Sequence, residues 1–477
     1  MKNLVQLSLQ GLRWILGDAS SSASPSHPHY RLSPIDGSKI ALPTPQQLAF
    51  QDKEIGVIIH FNIATFISSD GCNFQRHLLP DRDIFSPDQL STDNWMEAIT
   101  ALGAKTATYV AKHNCGFTTW PTKISFPSTH GNGIVPYNYS IQHSPLAGQN
   151  IVAQFTESAK RYDVDPGFYY SLDYNNFLNV YNFDVNDTGL ASGQVPITRE
   201  TYDNIVMAQL EELWSSNGKL TEIWFDGGFV DSQIDRLRKL LAKYQPDAVC
   251  FNGCGADGSC VTPNPIRWVG TEEGHAPIDN WSTGVSNDGG DPESEFFAPA
   301  ECDTATYANG RWFWGEGVAA RSYAQMVQLY HETVGRNCFL ELGVSPNRHG
   351  LIDPEHAEVY AQLGQFVREC YDHPVEYTRK IHKDGSIEFS FDEPTSIDRV
   401  VLMEDQTNGQ VIRSYGVFAQ IEGQGKSWQK LSGGKSVGHK KIDLFDETVK
   451  VTRVMVNSTF VDTPKWRDVS LHLCDRP

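Results

Sequence analysis

From about residue 54 to residue 370, short apolar runs alternate with helical patterns, and this alternation leaves few folds open. The candidate strands cover residues 55–61, 106–112, 167–172, 222–225, 248–251, 266–270, 312–315 and 338–343. Helical periodicity occupies 88–102, 151–162, 201–215, 232–244 and 322–335, with 354–371 following the last strand. Strands alternating with helices in this way predict a (β/α)8 barrel of the TIM type. One unit is irregular. Only residues 253–265 separate the fifth and sixth strands, and they are rich in glycine, proline and cysteine. No helix fits there, so the barrel is expected to be distorted at that point. After about residue 375 the pattern changes to short strands at 387–391, 399–403, 414–421, 440–444, 450–457 and 469–473, with turn signals between them. That pattern predicts a β-sandwich. The expected organisation is an N-terminal segment and linker (1–44), a barrel (45–372) and a sandwich (373–477).

In a parallel barrel, catalytic groups gather at the carboxyl ends of the strands. The fourth candidate strand reads Ile223-Trp224-Phe225-Asp226-Gly227-Gly228. A buried strand that ends on a carboxylate carries a cost unless that carboxylate is paired or used. Asp226 is therefore the candidate nucleophile, although an aspartate there could equally cap the next helix. Other strand ends are also polar. The first ends in His60-Phe61-Asn62 and the second in Lys112-His113-Asn114-Cys115-Gly116-Phe117. The third runs into Tyr169-Tyr170-Ser171-Leu172-Asp173. Glu272 and Glu273 follow the sixth, and Trp312, Trp314 and Glu316 lie on the predicted seventh. A lone strand-end histidine is more often structural than functional, but this many polar groups at one end make a site. Two facing carboxyls suit glycoside hydrolysis. A retaining mechanism needs them about 5–5.5 Å apart. Asp226 and Glu272, on near-neighbour strands, are the expected pair. His60, His113 and Tyr170 would then donate to sugar hydroxyls. A metal at His60, His113 and Asp226 is the competing use, but no His-x-His or Glu-x-x-His spacing supports it, so no metal or other cofactor is expected.

A net charge of −19 argues against nucleic acid or an anionic membrane surface as partner. No apolar run is long enough to span a bilayer. Leu4, Val5, Leu7, Leu9 and Leu12 after Lys2 suggest a signal peptide, although Gln6, Gln10 and Arg13 interrupt it. Glycosylation sequons occur at Asn138, Asn186, Asn280 and Asn457. An extracellular location is the expectation, with the cytoplasm as alternative. Nine cysteines are scattered along the chain, so at least one is free or pairs between chains; Cys254 and Cys260 bracket a glycine-rich turn and could pair.

Five stretches together resemble the α-L-fucosidases of glycoside hydrolase family 29. They are Gly56-Val57-Ile58-Ile59-His60-Phe61, Ala111 to Phe117, Trp224-Phe225-Asp226-Gly227, Arg267-Trp268-Val269-Gly270-Thr271-Glu272, and Asn337-Cys338-Phe339-Leu340-Glu341-Leu342. The resemblance implies a retaining exo-α-L-fucosidase acting on fucosylated oligosaccharides or glycoconjugates, with Asp226 as nucleophile. In the subgroup that cuts α-1,3 and α-1,4 linkages, the acid/base is the Glu of a Trp-Val-Gly-Asn-Glu stretch. Here Thr271 replaces the Asn and Glu272 takes the acid's place. Glu273 is adjacent and Glu295 is a further alternative. The resemblance also implies that His60, His113, Tyr170 and Trp224 grip the sugar, with Asn114 and Trp314 as further candidate contacts, and that residues 373–477 form a discoidin-like, carbohydrate-module-like sandwich. Asn114 stands where the common pattern has a second histidine. Two other functions are weighed: a barrel that binds fucosylated glycans without turnover, and a barrel glycosidase for another sugar such as α-galactose.

Overall fold

The computed structural model describes residues 29–67, 69–72, 78–131 and 133–475. Eight parallel strands close into a barrel: β1 (Ile55–Ile59), β2 (Thr106–Lys112), β3 (Asp165–Ser171), β4 (Glu222–Asp226), β5 (Val249–Phe251), β6 (Pro265–Trp268), β7 (Ala300–Ala305) and β8 (Cys338–Val344). Each pairs with the next in sequence, and β8 closes on β1 with Leu340 opposite Ile55. Burial on both faces explains why β1, β2 and β8 read as unbroken buried runs. One face of each strand packs inward. Ile58, Val110, Tyr169, Trp224, Phe251 and Phe339 form a core inside the barrel. Their neighbours Val57, Ile59, Tyr109, Tyr170, Phe225 and Leu340 pack outward in a larger core shared with the helices.

Besides the short helix Pro45–Gln51 ahead of β1, the helices are α1 (Thr92–Leu102), α2 (Ile151–Arg161), α3 (Arg199–Ser216), α4 (Asp231–Tyr244), α5 (Tyr323–Glu332) and α6 (Pro354–Tyr371). Among the described residues no helix separates β5 from β6, in keeping with the expected distortion. A Cys254–Cys260 disulfide closes the turn there. The predicted seventh strand at 312–315 is a loop, and the true β7 lies earlier, at Ala300–Ala305.

Six antiparallel strands follow: β9 (Thr378–Ile381), β10 (Ile387–Glu404), β11 (Ile412–Ile421), β12 (Gln429–Gly434), β13 (Lys441–Phe460) and β14 (Trp466–His472). Their order is β9-β10-β13-β11-β12, with β14 on β10. The two longest, β10 and β13, each merge a pair of predicted strands. Register breaks between Ser390 and Thr395 and between Ile397 and Arg399 let their halves pair separately. The inward residues of all these strands but β9 and β12 enclose a second core around Phe389, Val400, Val417, Val454 and Leu471. Disulfides also join Cys72 to Cys115, Cys302 to Cys338 and Cys370 to Cys474. Cys250 is free and buried. The leucine-rich stretch read as a signal lies outside the described residues.

Candidate active site

At the carboxyl ends of the barrel strands lies a cavity of about 620 Å³. Asp226 and Glu272 both line it, together with Trp224, Trp268 and Asp303. Strand alternation places the first group. On β4, Trp224 and Asp226 share the inward face. Trp224 stacks on Phe251 with ring centres 3.9 Å apart and donates its Nε1–H to Glu301 at 2.8 Å. Two residues on, Asp226 accepts a hydrogen bond from the Tyr169 hydroxyl of β3. The next residue, Gly227, adopts φ +71°, and a Cβ there would collide with the Asp173 carboxylate.

The electrostatics are those of acids crowded in a poorly solvated place. Burial pushes the Asp226 carboxyl up from its usual range; the Tyr169 bond pulls it back, the nearby Glu272 carboxylate pushes it further up, and Lys112 and the Gly227 N–H lower it. Asp173 is raised to about 7, chiefly by burial and then by Asp226. Burial and then Glu272 raise Asp303 to about 8. Its Oδ1 accepts the Trp268 Nε1–H at 2.6 Å. Lys112 is fully buried and donates to the Ser171 and Tyr174 carbonyls. Burial lowers its ammonium to about 7, against the pull of Asp173 and Asp226.

Glu272 is exposed on the cavity rim and accepts the Trp312 Nε1–H at 3.0 Å. Its backbone carbonyl is held by Thr304 Oγ1 at 2.7 Å. Neither alternative acid is among the residues lining the cavity. Glu273 points to His275, 3.8 Å away, and Glu295 pairs with Lys39.

His60 and His113 are buried beside Tyr169, with their ring centres 5.9 Å apart. The His113 ring stacks on Tyr169 at 5.5 Å. Burial lowers His113 to about 3 and drives His60 well below its usual value, so both are neutral. Among the described residues no hydrogen-bond partner meets the buried His113 Nδ1 at normal geometry.

Of the expected sugar contacts Trp224 lines the cavity, whereas His60, His113, Asn114, Tyr170 and Trp314 are not among its lining residues. Tyr170 is turned outward by the pleat of β3, and its hydroxyl donates to Gln209 of α3 at 2.6 Å. Tyr169, one residue earlier, takes the inward place. Trp314 donates to Asp353 at 2.7 Å, while Trp312 bonds Glu272 and lies 4.9 Å from the His60 ring. Asn114 commits its side-chain oxygen to the Cys72 N–H at 2.8 Å. Asp303 and Trp268 were missed. Trp268 stood inside the Arg267-to-Glu272 motif, so its signal was present. Asp303 lies outside every predicted strand. Among the described residues, no group of three or more His, Cys, Asp and Glu side chains is arranged to hold a metal ion.

A sequence model for α-L-fucosidases matches residues 37–370, well over half of the chain. The chain belongs to the α-L-fucosidase family. Its members are glycoside hydrolases, and the two carboxyls at the barrel mouth accord with that class. The chain is 24% identical to α-L-fucosidase 1 of Arabidopsis thaliana, over 91% of this chain and 87% of that one. The fold superposes on a candidate α-L-fucosidase of Bacteroides thetaiotaomicron with TM-score 0.78 and 26% identity, covering 91% of this chain and all of the other. A Ruminococcus gnavus family 29 fucosidase in complex with fucose shares the fold at TM-score 0.74 and 19% identity, covering 94% and 98% of the two chains.

Proposed function

We infer that this fucosidase-family chain is a retaining, exo-acting hydrolase that releases a terminal α-linked L-fucose from glycans, with Asp226 as nucleophile and Glu272 as acid/base. One observation carries the reading. Asp226 ends a central barrel strand, and Glu272 lines the same cavity close enough for its charge to raise the Asp226 carboxyl. In the first step an Asp226 oxygen would bond to the anomeric carbon as the glycosidic C–O bond breaks, and Glu272 would give its proton to the leaving oxygen. In the second, Glu272 would take a proton from water, and the water oxygen would displace Asp226 from the sugar. Tyr169 would steady the attacking carboxylate. The unpartnered His113 Nδ1 supports a hydroxylated ligand here, because a buried polar atom left without a partner is costly. The Ruminococcus neighbour's bound fucose is in keeping with that sugar. The binding-only reading drew on Asn114, whose side chain is instead held by the Cys72 backbone. Four disulfides among the nine cysteines favour an oxidising, extracellular setting. Of the sequon asparagines, Asn186 and Asn457 are exposed and Asn280 is buried.

Asp226→Ala is expected to lower turnover of an aryl α-L-fucoside by several orders of magnitude, with azide restoring a β-fucosyl azide. Near-native turnover in that variant would remove Asp226 from the role. Glu272→Ala should damage hydrolysis of poor leaving groups far more than that of aryl fucosides. Equal losses on both substrates would move the acid/base elsewhere. A panel of aryl glycosides that includes α-galactoside tests the choice of sugar.

A further inference from the structure

A second cavity adjoins the one around Asp226. Phe229, three residues past Asp226, lines both, and the second has a volume of about 930 Å³. The far side of this second cavity is built by Phe183, Asp184 and Asp187 with Arg199, and its near side by Asp231 and Ser232. No step of the mechanism uses these residues.

The backbone at Phe183 is unusual. Strands Val180–Tyr181 and Asp184–Val185 form a tight hairpin with Tyr181 opposite Asp184. Both loop residues are left-handed, Asn182 at φ +48° and Phe183 at φ +63°. A two-residue turn of this kind favours glycine at its second position, and a bulky residue there is an outlier. Strained positions of this sort cluster at ligand clamps. The Arg199 guanidinium lies 5.9 Å from the Phe183 ring centre and donates to the Phe183 carbonyl at 2.7 Å, which fixes the turn from behind. Arg199 is itself paired with Asp203 at 2.9 Å. The Phe183 ring is half-buried, and its free part lines the cavity.

We propose that this second cavity is an aglycone subsite for the second neutral pyranose unit beyond the fucose of a fucosylated oligosaccharide, with Phe183 and Phe229 as its stacking surfaces. The proposal rests on the fucosidase reading above. Flat rings match the C–H face of a pyranose, and the carboxylates of Asp184, Asp187 and Asp231 offer acceptors to its hydroxyls. With Arg199 engaged by Asp203, these three acids also disfavour a sialylated or sulfated unit at that place.

The test compares an aryl α-L-fucoside, a fucosyl disaccharide, a neutral fucosyl trisaccharide and its sialylated counterpart. The wild-type enzyme should show a several-fold lower KM for the neutral trisaccharide than for the disaccharide, and no such gain for the sialylated one. Phe183→Gly suits the turn's backbone and should abolish the gain while leaving aryl-fucoside turnover as it was. Equal KM for disaccharide and neutral trisaccharide in the wild type would overturn the subsite, whether or not the variant folds. So would a folded Phe183→Gly enzyme that keeps the gain. Calorimetric titration of the same saccharides into Asp226→Ala reads the subsite without turnover. Equal affinities there overturn the subsite alone, whereas failure of the wild type to cleave any fucoside counts against the fucosidase reading.

Discussion

Asp303 shows how one buried side chain can make folding depend on pH. Its folded carboxyl titrates at about 8, against an unperturbed value of 3.8. The sign follows from proton binding. Between those two values the unfolded chain has released its proton and the folded chain has kept it, so this group makes folding less favourable as pH rises. Below about pH 4 it contributes no penalty, and above about 8 the penalty is complete. The neutral histidines His60 and His113 act in the opposite direction, since their folded values lie below the unfolded one. The effect is therefore read as a difference between two proteins. Asp303→Asn keeps an acceptor for Trp268 and removes the titration. Its stability relative to the wild type should rise with pH between 5 and 8, by at most about 1.4 kcal/mol per unit. Denaturant melts across that range would show this. A pH-independent difference would mean that Asp303 is ionised in the folded protein. Nothing in the sequence singled out this residue. Its strand reads Ala-Glu-Cys-Asp-Thr-Ala, without the branched apolar run that marks β1. Its two acids face the barrel interior, Glu301 toward Trp224 and Asp303 toward Trp268.

At the scale of a strand, the deciding quantity is the phase of the pleat. Asp226 was legible because it is the last residue of an apolar run, and its inward neighbour Trp224 follows from period two. Tyr169 and Tyr170 are adjacent and chemically alike, so composition could not say which faces the sugar. Pairing decides it: Tyr169 stands opposite Trp224 in the β3–β4 register, which puts both on the inner face. The tryptophans after β7 were misassigned for another reason. A strand at 312–315 would put Trp312 and Trp314 on one face, whereas in the loop they diverge to Glu272 and Asp353. The pleat makes a paired prediction. Tyr169→Phe removes a hydrogen bond to a carboxylate and should lower kcat/KM about 10- to 100-fold. Tyr170→Phe removes a bond to Gln209 in the helical layer, so activity should persist while the melting temperature falls by a few degrees. Equal kinetic effects from the two substitutions would contradict the alternation.

Across the whole molecule, the sandwich and the barrel divide in sequence but not in packing. The change of period after about residue 375 places the expected division, whereas the contact between the two parts depends on loops and strand faces that only meet in three dimensions. Val401, Met403 and Ile442 of the sandwich belong to the same apolar cluster as the barrel strands and helices. The Ile442 N–H donates to the Gly335 carbonyl at 2.9 Å, and the His439 N–H to Asn337 at 2.7 Å. Lys440 pairs at 2.5 Å with Glu54, the residue that leads into β1. The Cys370–Cys474 disulfide then ties the end of α6 to the residues after β14, across a separation of 104 residues. We propose that residues 45–372 and 373–477 fold as one cooperative unit, in which the sandwich props the barrel whether or not it also binds sugar. A chain ended at residue 372 would uncover the apolar surface under Val401 and Ile442 and leave Glu54 without its lysine. It is expected to be insoluble, or to melt well below the full-length protein. In the full chain, Cys474→Ala should cost up to about 4–5 kcal/mol, the chain-entropy limit for a loop of that length, and reductant should then have less effect on the variant than on the wild type. A truncated barrel that unfolds at the full-length temperature and still cleaves an aryl fucoside would show instead that the two parts are independent.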